Sequence, residues 1–224
     1  MRIANIWQVY YNATTKRSCL DGWNHYDNRN KLNCFFENQV ILDLYHRKEH
    51  RRSNYFGVFS HAFATKHFFK NGRGQRVTPQ SLDNEISQNP DIDLFGFHGR
   101  RNTKNVMLQA ERYHQGGFKS ITQEILDACG YDYPNKTDFV CLFNHFVGRA
   151  DVYDDYIKTL LEPAMKIMTA MGDRLFVDQK YKRVSQEMRS AGLNFYPLHP
   201  FICERLPSVY YQQYYRNLSF KQIF

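Results

Sequence analysis

Hydrophobic residues follow two kinds of pattern along the chain, and segments with the two patterns alternate. Short apolar, β-branched or aromatic runs predict buried strands, and apolar residues spaced three to four apart predict amphipathic helices. Strands are predicted at residues 3–11, 54–60, 93–97 and 138–148. Helices are predicted at residues 33–48, 77–89, 105–117, 118–130 and 151–172, and in a tail at 208–217. This alternation predicts an α/β fold with a mostly parallel central sheet flanked by helices.

Polar residues and prolines predict where these helices begin or bend. Asn33, Thr78 and Ser120 are each predicted to cap a helix, because their side chains accept hydrogen bonds from first-turn amides. Pro163 is predicted to bend the long helix. Residues 12–31 are rich in Asn, Asp and Gly and predict a long loop, which is a candidate ligand loop.

The length and composition predict one domain. The chain has 224 residues, of which 42% are hydrophobic, enough for a sizeable core. We expect a single domain over residues 1–224, with 194–224 as an irregular and helical C-terminal extension. No apolar run reaches the roughly 18 residues of a membrane span. The N-terminus predicts a first strand rather than a signal peptide, so the chain is expected in the cytoplasm.

Positive charge is concentrated in the first half of the chain. The net charge is +8, and residues 1–112 hold 17 Lys and Arg against 10 Asp and Glu. Such a face favours a polyanion or a phosphorylated ligand, and a merely solvated surface explains it equally well. The five cysteines form no C-x-x-C spacing, and they predict reduced thiols rather than a zinc site.

Several segments, taken in order, resemble a known family. They are YFGVFS at 55–60, DLFGF at 93–97, FNHFVGRADVYDDYIKTLL at 143–161 and HPFICERLPSVY at 199–210. They resemble the nucleotide-sugar glycosyltransferases of the GT-A fold, especially small bacterial and phage members. The resemblance is scattered over residues 3–210. It implies a single GT-A-like, Rossmann-like domain in a bacterial or phage-infected cell, with a nucleotide-sugar, a UDP-sugar first, as the donor.

The sequence also contains a D-x-D, Asp91-Ile-Asp93, the motif with which many sugar transferases hold a metal. Both acids come at the beginning of the strand at 93–97, whereas open α/β sheets bind ligands at the carboxyl ends of strands. We therefore expect them to connect a helix to a strand. Ser60 and His61 follow YFGVF, where the family's metal-binding acids are expected, so dependence on a divalent metal stays open.

The strand ends supply the candidate site residues. Tyrosine can stack on a base, and His, Lys or Arg can neutralise a diphosphate as charge develops on it. The candidates for catalysis are His61 and His98. The candidates for donor binding are Tyr10, Tyr11, Asp27, Asn28, Ser60, Lys66, Arg100 and Asn144, the last by its resemblance to a sugar-contacting Asn of the family. The candidates for acceptor binding are Arg101, His114 and His145. The resemblance also makes His199 a candidate metal ligand.

Two classes of function stay open at this point. The first is a transferase whose acceptor is a hydroxymethylated pyrimidine in DNA, or else a capsule or lipopolysaccharide glycan. The positive charge favours DNA, and such a base would be flipped from the duplex to react. The second is a non-catalytic basic α/β module that binds nucleic acid or a phosphorylated ligand. The general base, the stereochemistry and the oligomeric state are not readable from the residues.

Overall fold

The computed structural model describes residues 3–29, 31, 33–66, 68–69, 75–97, 105–114, 117–179, 184, 188–189, 192–214 and 216–223. Six strands form the central sheet: β1 (Ala4–Tyr10), β2 (Asn24–Asp27), β3 (Tyr55–Ser60), β6 (Leu94–Phe97), β7 (Phe146–Arg149) and β8 (Phe220–Ile223). A separate two-stranded hairpin pairs β4 (Phe68–Phe69) with β5 (Gln75–Arg76).

Helices flank the sheet. They are α1 (Ala13–Lys16), α2 (Glu37–His46), α3 (Phe63–Lys66), α4 (Pro79–Ser87), α5 (Val106–Tyr113), α6 (Phe118–Ala128), α7 (Ala150–Tyr156), α8 (Glu162–Met171), α9 (His199–Cys203) and α10 (Leu206–Tyr214). A π-helical turn (Ile157–Leu161) joins α7 to α8, and Pro163 is the second residue of α8. In the described part of the chain, no helix combines the length and apolarity needed to cross a membrane.

The strands of the central sheet lie in the order β2-β1-β3-β7-β6-β8. β1 is parallel to β2 and β3, and β6 is parallel to β8, while β7 runs antiparallel between β3 and β6. The α/β prediction is confirmed, with a mixed sheet. We call the side where β1, β2, β3 and β6 end, and where β7 begins, the carboxyl edge. The opposite side is the amino edge.

The core lies on both faces of the sheet, which explains the continuous apolar runs of the central strands. In β3, Phe56 and Val58 belong to the larger hydrophobic cluster, while Tyr55 and Phe59 belong to the smaller one. The larger cluster includes residues of α2, α5, α6, α8 and α10. The smaller cluster includes Phe63 of α3 and Leu82 of α4. Because both faces of the sheet are covered, a ligand can reach it at the carboxyl edge and the amino edge, where the strands end and begin.

The strand predicted at 138–148 is wrong over most of its length, since β7 begins only at Phe146. Side chains from distant segments hold the backbone before it. Cys141 N donates to Ser208 Oγ at 2.8 Å, and Val140 N donates to Gln222 Oε1 at 3.1 Å. An apolar run therefore became a buried irregular segment, because these long-range hydrogen bonds replace a strand partner.

The loop predicted at 12–31 and the C-terminal extension predicted at 194–224 contain more regular structure than expected. Asn12 caps α1, and β2 pairs with β1 as a polar edge strand. α9 begins at His199, and β8 follows the predicted helical tail. The short, polar β2 carries none of the β-branched or aromatic enrichment by which strands are recognised, apart from Tyr26.

The predicted helix caps have mixed outcomes. Thr78 is confirmed, since its Oγ1 accepts from Ser81 N at 3.2 Å. The Asn33 prediction is wrong because α2 begins at Glu37, and Asn33 Oδ1 accepts from Phe35 N instead. The Ser120 prediction is also wrong. α6 begins directly after Gly117, whose φ of 79° suits glycine, and Ser120 Oγ donates to the Gly117 carbonyl.

Candidate active site

Polar side chains from three parts of the chain converge at the carboxyl edge. His61 follows β3, and its backbone N donates to Val9 O at 3.0 Å, which extends the β1–β3 pairing by one residue. The ring of His61 meets the ring of Tyr11 edge-on, with 6.0 Å between their centroids. Ser60 Oγ lies 3.3 Å from His145 Nε2, and the tautomer of the imidazole decides which atom donates.

The antiparallel direction of β7 brings His145 to this edge. The carbonyl of His145 accepts from Phe97 N at 2.9 Å, so the residue is tied to the end of β6. Its buried ring packs edge-on against Phe59 and Phe63. The neighbouring Asn144, which has positive φ, lines a cavity with Phe36 and Tyr196. Both residues precede β7, so the alternation of a strand does not apply to them.

A second group lies where β1 and β2 end. Tyr10 is buried, and Asn28 N donates to its carbonyl at 2.9 Å. Arg29 Nη2 lies 2.6 Å from Asp27 Oδ2, and the hydrogen bonds from Arg29 hold the pKa of Asp27 well below its ordinary value. Burial raises the pKa of Tyr10, with its hydrogen bond to Asp27 as the next cause. Lys16 Nζ lies 5.5 Å from the centre of the Tyr10 ring.

His114 directly follows α5 and His199 begins α9, so both lie among the helices rather than in these two groups. His114 stacks on Phe201 with 4.0 Å between ring centroids, and burial, helped by the charge of Arg205, lowers its pKa to about 3. His199 lies edge-on to Phe35 at 5.0 Å, and burial lowers its pKa to about 4. Both rings are therefore neutral near pH 7. Within the described ranges, no three His, Cys, Asp or Glu side chains form a group that could hold a metal ion.

Asp91 and Asp93 lie at the amino edge. Asp93 Oδ2 accepts from both the N and the Oγ of Ser219, each at 2.8 Å, and the carbonyl of Asp91 accepts from Ser219 Oγ at 2.6 Å. These bonds fix the beginning of β8 beside β6. The two acids of the D-x-D therefore organise strand pairing on the side of the sheet opposite His61 and His145.

Some of the predicted site residues are not described. His98, Arg100 and Arg101 lie outside the described residues, directly after β6. Lys66 is the last residue of α3, and its side chain also lies outside the described part.

Sequence reasoning missed the residues that surround Asn144. Phe36, Asn38, Tyr196 and Glu204 line the same cavity, which has a volume of about 70 Å³. Phe36 and Asn38 lie at the beginning of α2, Tyr196 precedes α9 and Glu204 directly follows it. No local pattern relates residues this far apart, although Glu204 lies in HPFICERLPSVY, one of the segments that carried the resemblance.

Comparisons of the chain with protein-family models, with curated proteins and with solved structures found no match. The chemistry of the carboxyl edge is therefore inferred from its own residues, together with the resemblance of the segments quoted above.

Proposed function

We propose that the protein is a glycosyltransferase that moves a sugar from a nucleotide-diphosphate sugar, with UDP as the first nucleotide to test, to a hydroxyl acceptor. The observation that carries the proposal is the convergence of Tyr11, Ser60, His61 and His145 at the carboxyl edge. Ligands of open α/β sheets bind at the carboxyl ends of the strands. Asn144 adjoins this group, in the segment that resembles the family.

The reaction places negative charge on the leaving group. The bond from the anomeric carbon to the diphosphate breaks with its electron pair leaving on the diphosphate, while the acceptor oxygen bonds to that carbon and passes its proton to water. His61 is half-buried at the end of β3, where a protonated imidazole would offset the charge of the departing diphosphate. Ser60 and His145 act as positioning residues, since their contact joins β3 to the segment before β7.

The acceptor we favour is a hydroxymethylated base in DNA, because exposed cations surround the carboxyl edge. Lys16 and Arg29 lie over the Tyr10 ring, and Lys31 lies over the Tyr26 ring at 5.8 Å. All three cations are exposed. Each phosphate contact on a duplex contributes about −0.9 to the slope of log affinity against log salt.

The acceptor is tested by measuring duplex binding by fluorescence anisotropy between about 50 and 200 mM salt. We expect affinity to fall with salt, and the double variant K16A/K31A to reduce the slope by roughly 1 to 2. Lys166→Ala is the control, since Lys166 is exposed on α8 and pairs with Glu162. Negligible, salt-insensitive binding would contradict DNA and leave a glycan as the acceptor.

The donor site is tested by a thermal-shift panel of UDP-, GDP- and dTDP-sugars, with and without Mn²⁺ or Mg²⁺. A ligand of the native state must raise the melting temperature. We expect one nucleotide-sugar to stabilise the protein and His61→Ala to weaken that shift. A shift that needs the metal would restore a metal site. If no nucleotide-sugar stabilises the protein with or without the metal, the transferase proposal is contradicted and a non-catalytic binding module becomes the better proposal.

A further inference from the structure

Phe143 is an exposed aromatic residue in a segment that is otherwise buried. Of the ten residues at 139–148, all of them described, nine are buried, whereas Phe143 is 47% exposed. The centre of its ring lies 5.7 Å from the centre of the His145 ring, and His145 Nε2 lies 3.3 Å from Ser60 Oγ. Phe143 therefore presents an apolar ring at the carboxyl edge, directly beside the candidate active site.

The backbone conformation at Phe143 makes a large side chain costly there. His145 N donates to Leu142 O at 3.1 Å, which closes a turn with Phe143 and Asn144 at its centre. Both central residues have positive φ, 60° for Phe143 and 55° for Asn144, as in a type I′ turn. Glycine, asparagine and aspartate are the usual residues at such positions. The ring of Phe143 therefore serves neither the turn nor the core, and strained residues of this kind cluster at binding and catalytic sites.

Hydrogen bonds on both sides hold this turn in place. Cys141 N donates to Ser208 Oγ at 2.8 Å, and the carbonyl of His145 accepts from Phe97 N at 2.9 Å. The turn is thereby tied to α10 and to the end of β6. Because these anchors fix the backbone, the ring of Phe143 is positioned before a ligand arrives, and less entropy is lost on binding.

The strand order places Phe143 on the side of His61 that faces away from Tyr10. Tyr10 ends β1, His61 follows β3 and Phe143 precedes β7, and these three strands are neighbours in the sheet. Adjacent strands lie about 4.8 Å apart, so β1 and β7 are separated by roughly 10 Å. With the donor nucleotide at Tyr10 and its diphosphate at His61, the acceptor approaches from the side of Phe143.

The chemistry beside Phe143 suits a nucleobase better than a sugar. A Phe ring has no polar atom, so it offers a face for stacking and no hydrogen bond. Ser60 Oγ and His145 Nε2 already lie within hydrogen-bond distance of each other. A sugar needs partners for hydroxyls all round its ring, whereas any base can stack through its π-face. The exposed Lys16 and Lys31 at the same edge complement the phosphates of a nucleic acid.

We propose that Phe143 is a stacking platform for the acceptor base, and that its ring covers one face of a pyrimidine that has left the duplex. A base that leaves the duplex loses the stacking of its neighbours, and the ring of Phe143 replaces part of that stacking. The inference rests on the proposed function for the choice of DNA as the acceptor. It makes Phe143 a residue that binds the acceptor and does not contact the donor.

Fluorescence anisotropy with two labelled duplexes tests the platform. One duplex is fully paired, and the other carries hydroxymethylcytosine opposite an abasic site, where the base leaves the stack at lower cost. We expect the wild-type protein to bind the second duplex at least about fivefold more tightly, and Phe143→Gly to bind the two duplexes alike. Phe143→Trp keeps an aromatic face and should keep the preference. Tyr113→Ala, at a position of α5 that is 61% exposed, is the control for deletion of an exposed ring.

The substitution by glycine is chosen so that the fold survives it. Glycine adopts positive φ without steric cost, so Phe143→Gly should melt close to the temperature of the wild-type protein. Phe143→Asn also suits positive φ and provides a second variant without the ring. Thermal unfolding followed by circular dichroism checks both variants before their affinities are compared.

The outcomes separate this inference from the proposed function. A preference for the unpaired base that is lost in Phe143→Gly, without stabilisation by any nucleotide-sugar, would support the platform and contradict the transferase. Stabilisation by a nucleotide-sugar, with no binding of either duplex or with the same preference in Phe143→Gly as in the wild type, would overturn the platform and leave the transferase standing.

Two further results would also overturn the platform. Weaker binding of the nucleotide-sugar by Phe143→Gly, measured by calorimetry, would mean that the ring contacts the base of the donor. Binding of a neutral oligosaccharide that depends on Phe143 would mean that the acceptor is a glycan.

Discussion

The two edges of the sheet are both polar, yet they differ in how their polar groups are used. The amino edge carries the larger cleft, of about 640 Å³, lined by Arg51, Tyr55, Arg149 and Asp154 among others. The cavity beside Asn144 at the carboxyl edge has about 70 Å³. By volume alone, the amino edge would be the site.

The placement of the polar groups reverses that ranking. At the amino edge, Arg51 lies 3.1 Å from Asp154, and the Tyr55 hydroxyl donates to the Ile92 carbonyl at 2.8 Å. At the carboxyl edge, Tyr11, Ser60, His61 and His145 converge at the ends of the strands. Polar groups that pair with each other stabilise the fold, whereas open α/β sheets bind their ligands at the carboxyl ends of the strands. The carboxyl edge is therefore the better candidate for function.

The largest expected effect is on stability, and it comes from His114 and His199, which lie among the helices rather than at either edge. This effect has to be separated from any effect on function at the two edges. His114 and His199 have pKa values near 3 and 4 in the folded protein, below the ordinary 6.5. The unfolded chain therefore binds more protons, so the free energy of unfolding is highest above pH 6.5 and falls as the pH drops toward these values. Between pH 7 and 4 we expect a loss of roughly 3 kcal/mol for each histidine.

Urea unfolding followed by circular dichroism at pH 7, 5.5 and 4 measures this loss. The double variant H114Q/H199Q should show a flatter dependence on pH, because neither glutamine titrates. Equal slopes in the two proteins would show that other groups cause the acid sensitivity. Activity measured at low pH can be assigned to a site at either edge only after the loss of stability has been taken into account.

His61→Ala should have the largest effect on activity at the carboxyl edge. We expect kcat/KM for sugar transfer to fall roughly 100-fold, as is usual when a charged or proton-transferring group at the reaction centre is removed. His46→Ala is the matched control, because His46 is exposed at the end of α2. Comparable losses of kcat/KM in the two variants would contradict a specific role for His61 at the carboxyl edge.

Asp93→Ala should affect stability and leave catalysis intact. The substitution removes the acceptor for Ser219 N and Oγ, so we expect a loss of about 1 to 3 kcal/mol in the free energy of unfolding. The value of kcat/KM, measured well below the melting temperature, should change less than about twofold. Asp132→Ala, at an exposed position, is the control for stability. Loss of metal-dependent transfer in the Asp93 variant would instead make the D-x-D functional.

Arg149→Gln should have the smallest effect. Arg149 Nε lies 3.5 Å from Asp151 and 3.7 Å from Asp93, and its side chain is 44% exposed. Ion pairs this long and exposed contribute about 0 to 1 kcal/mol, so thermal unfolding should shift little. A large loss of ligand binding in this variant would mark the wide cleft of the amino edge as a binding site.

The elements that could be predicted from the sequence are those whose apolar pattern or capping residue matches their burial and position in the fold. β1, β3 and β6 are apolar runs buried on both faces, and α4 carries its own capping signal in Thr78. Because Ser60 ends β3 and His61 follows it directly, their place at the carboxyl edge could also be predicted. The same reasoning put Asp91 and Asp93 at the amino edge, where the structure has them.

The remainder depends on contacts between distant segments. The direction of β7 and the pairing of β8 with β6 follow from tertiary packing, which overrides local preference in strands. The contact of Asn144 with a cavity bounded by Phe36 and Tyr196 joins segments far apart in the chain. No periodicity or motif carries that information.

Hydrogen exchange measured by mass spectrometry, with and without a stabilising nucleotide-sugar, tests most directly whether function lies at the carboxyl edge. We expect bound nucleotide-sugar to slow exchange in peptides covering residues 9–12, 59–63 and 142–146, and to leave 149–154 unchanged. Protection confined to 51–55 and 149–154 would contradict it and place the ligand in the cleft of the amino edge.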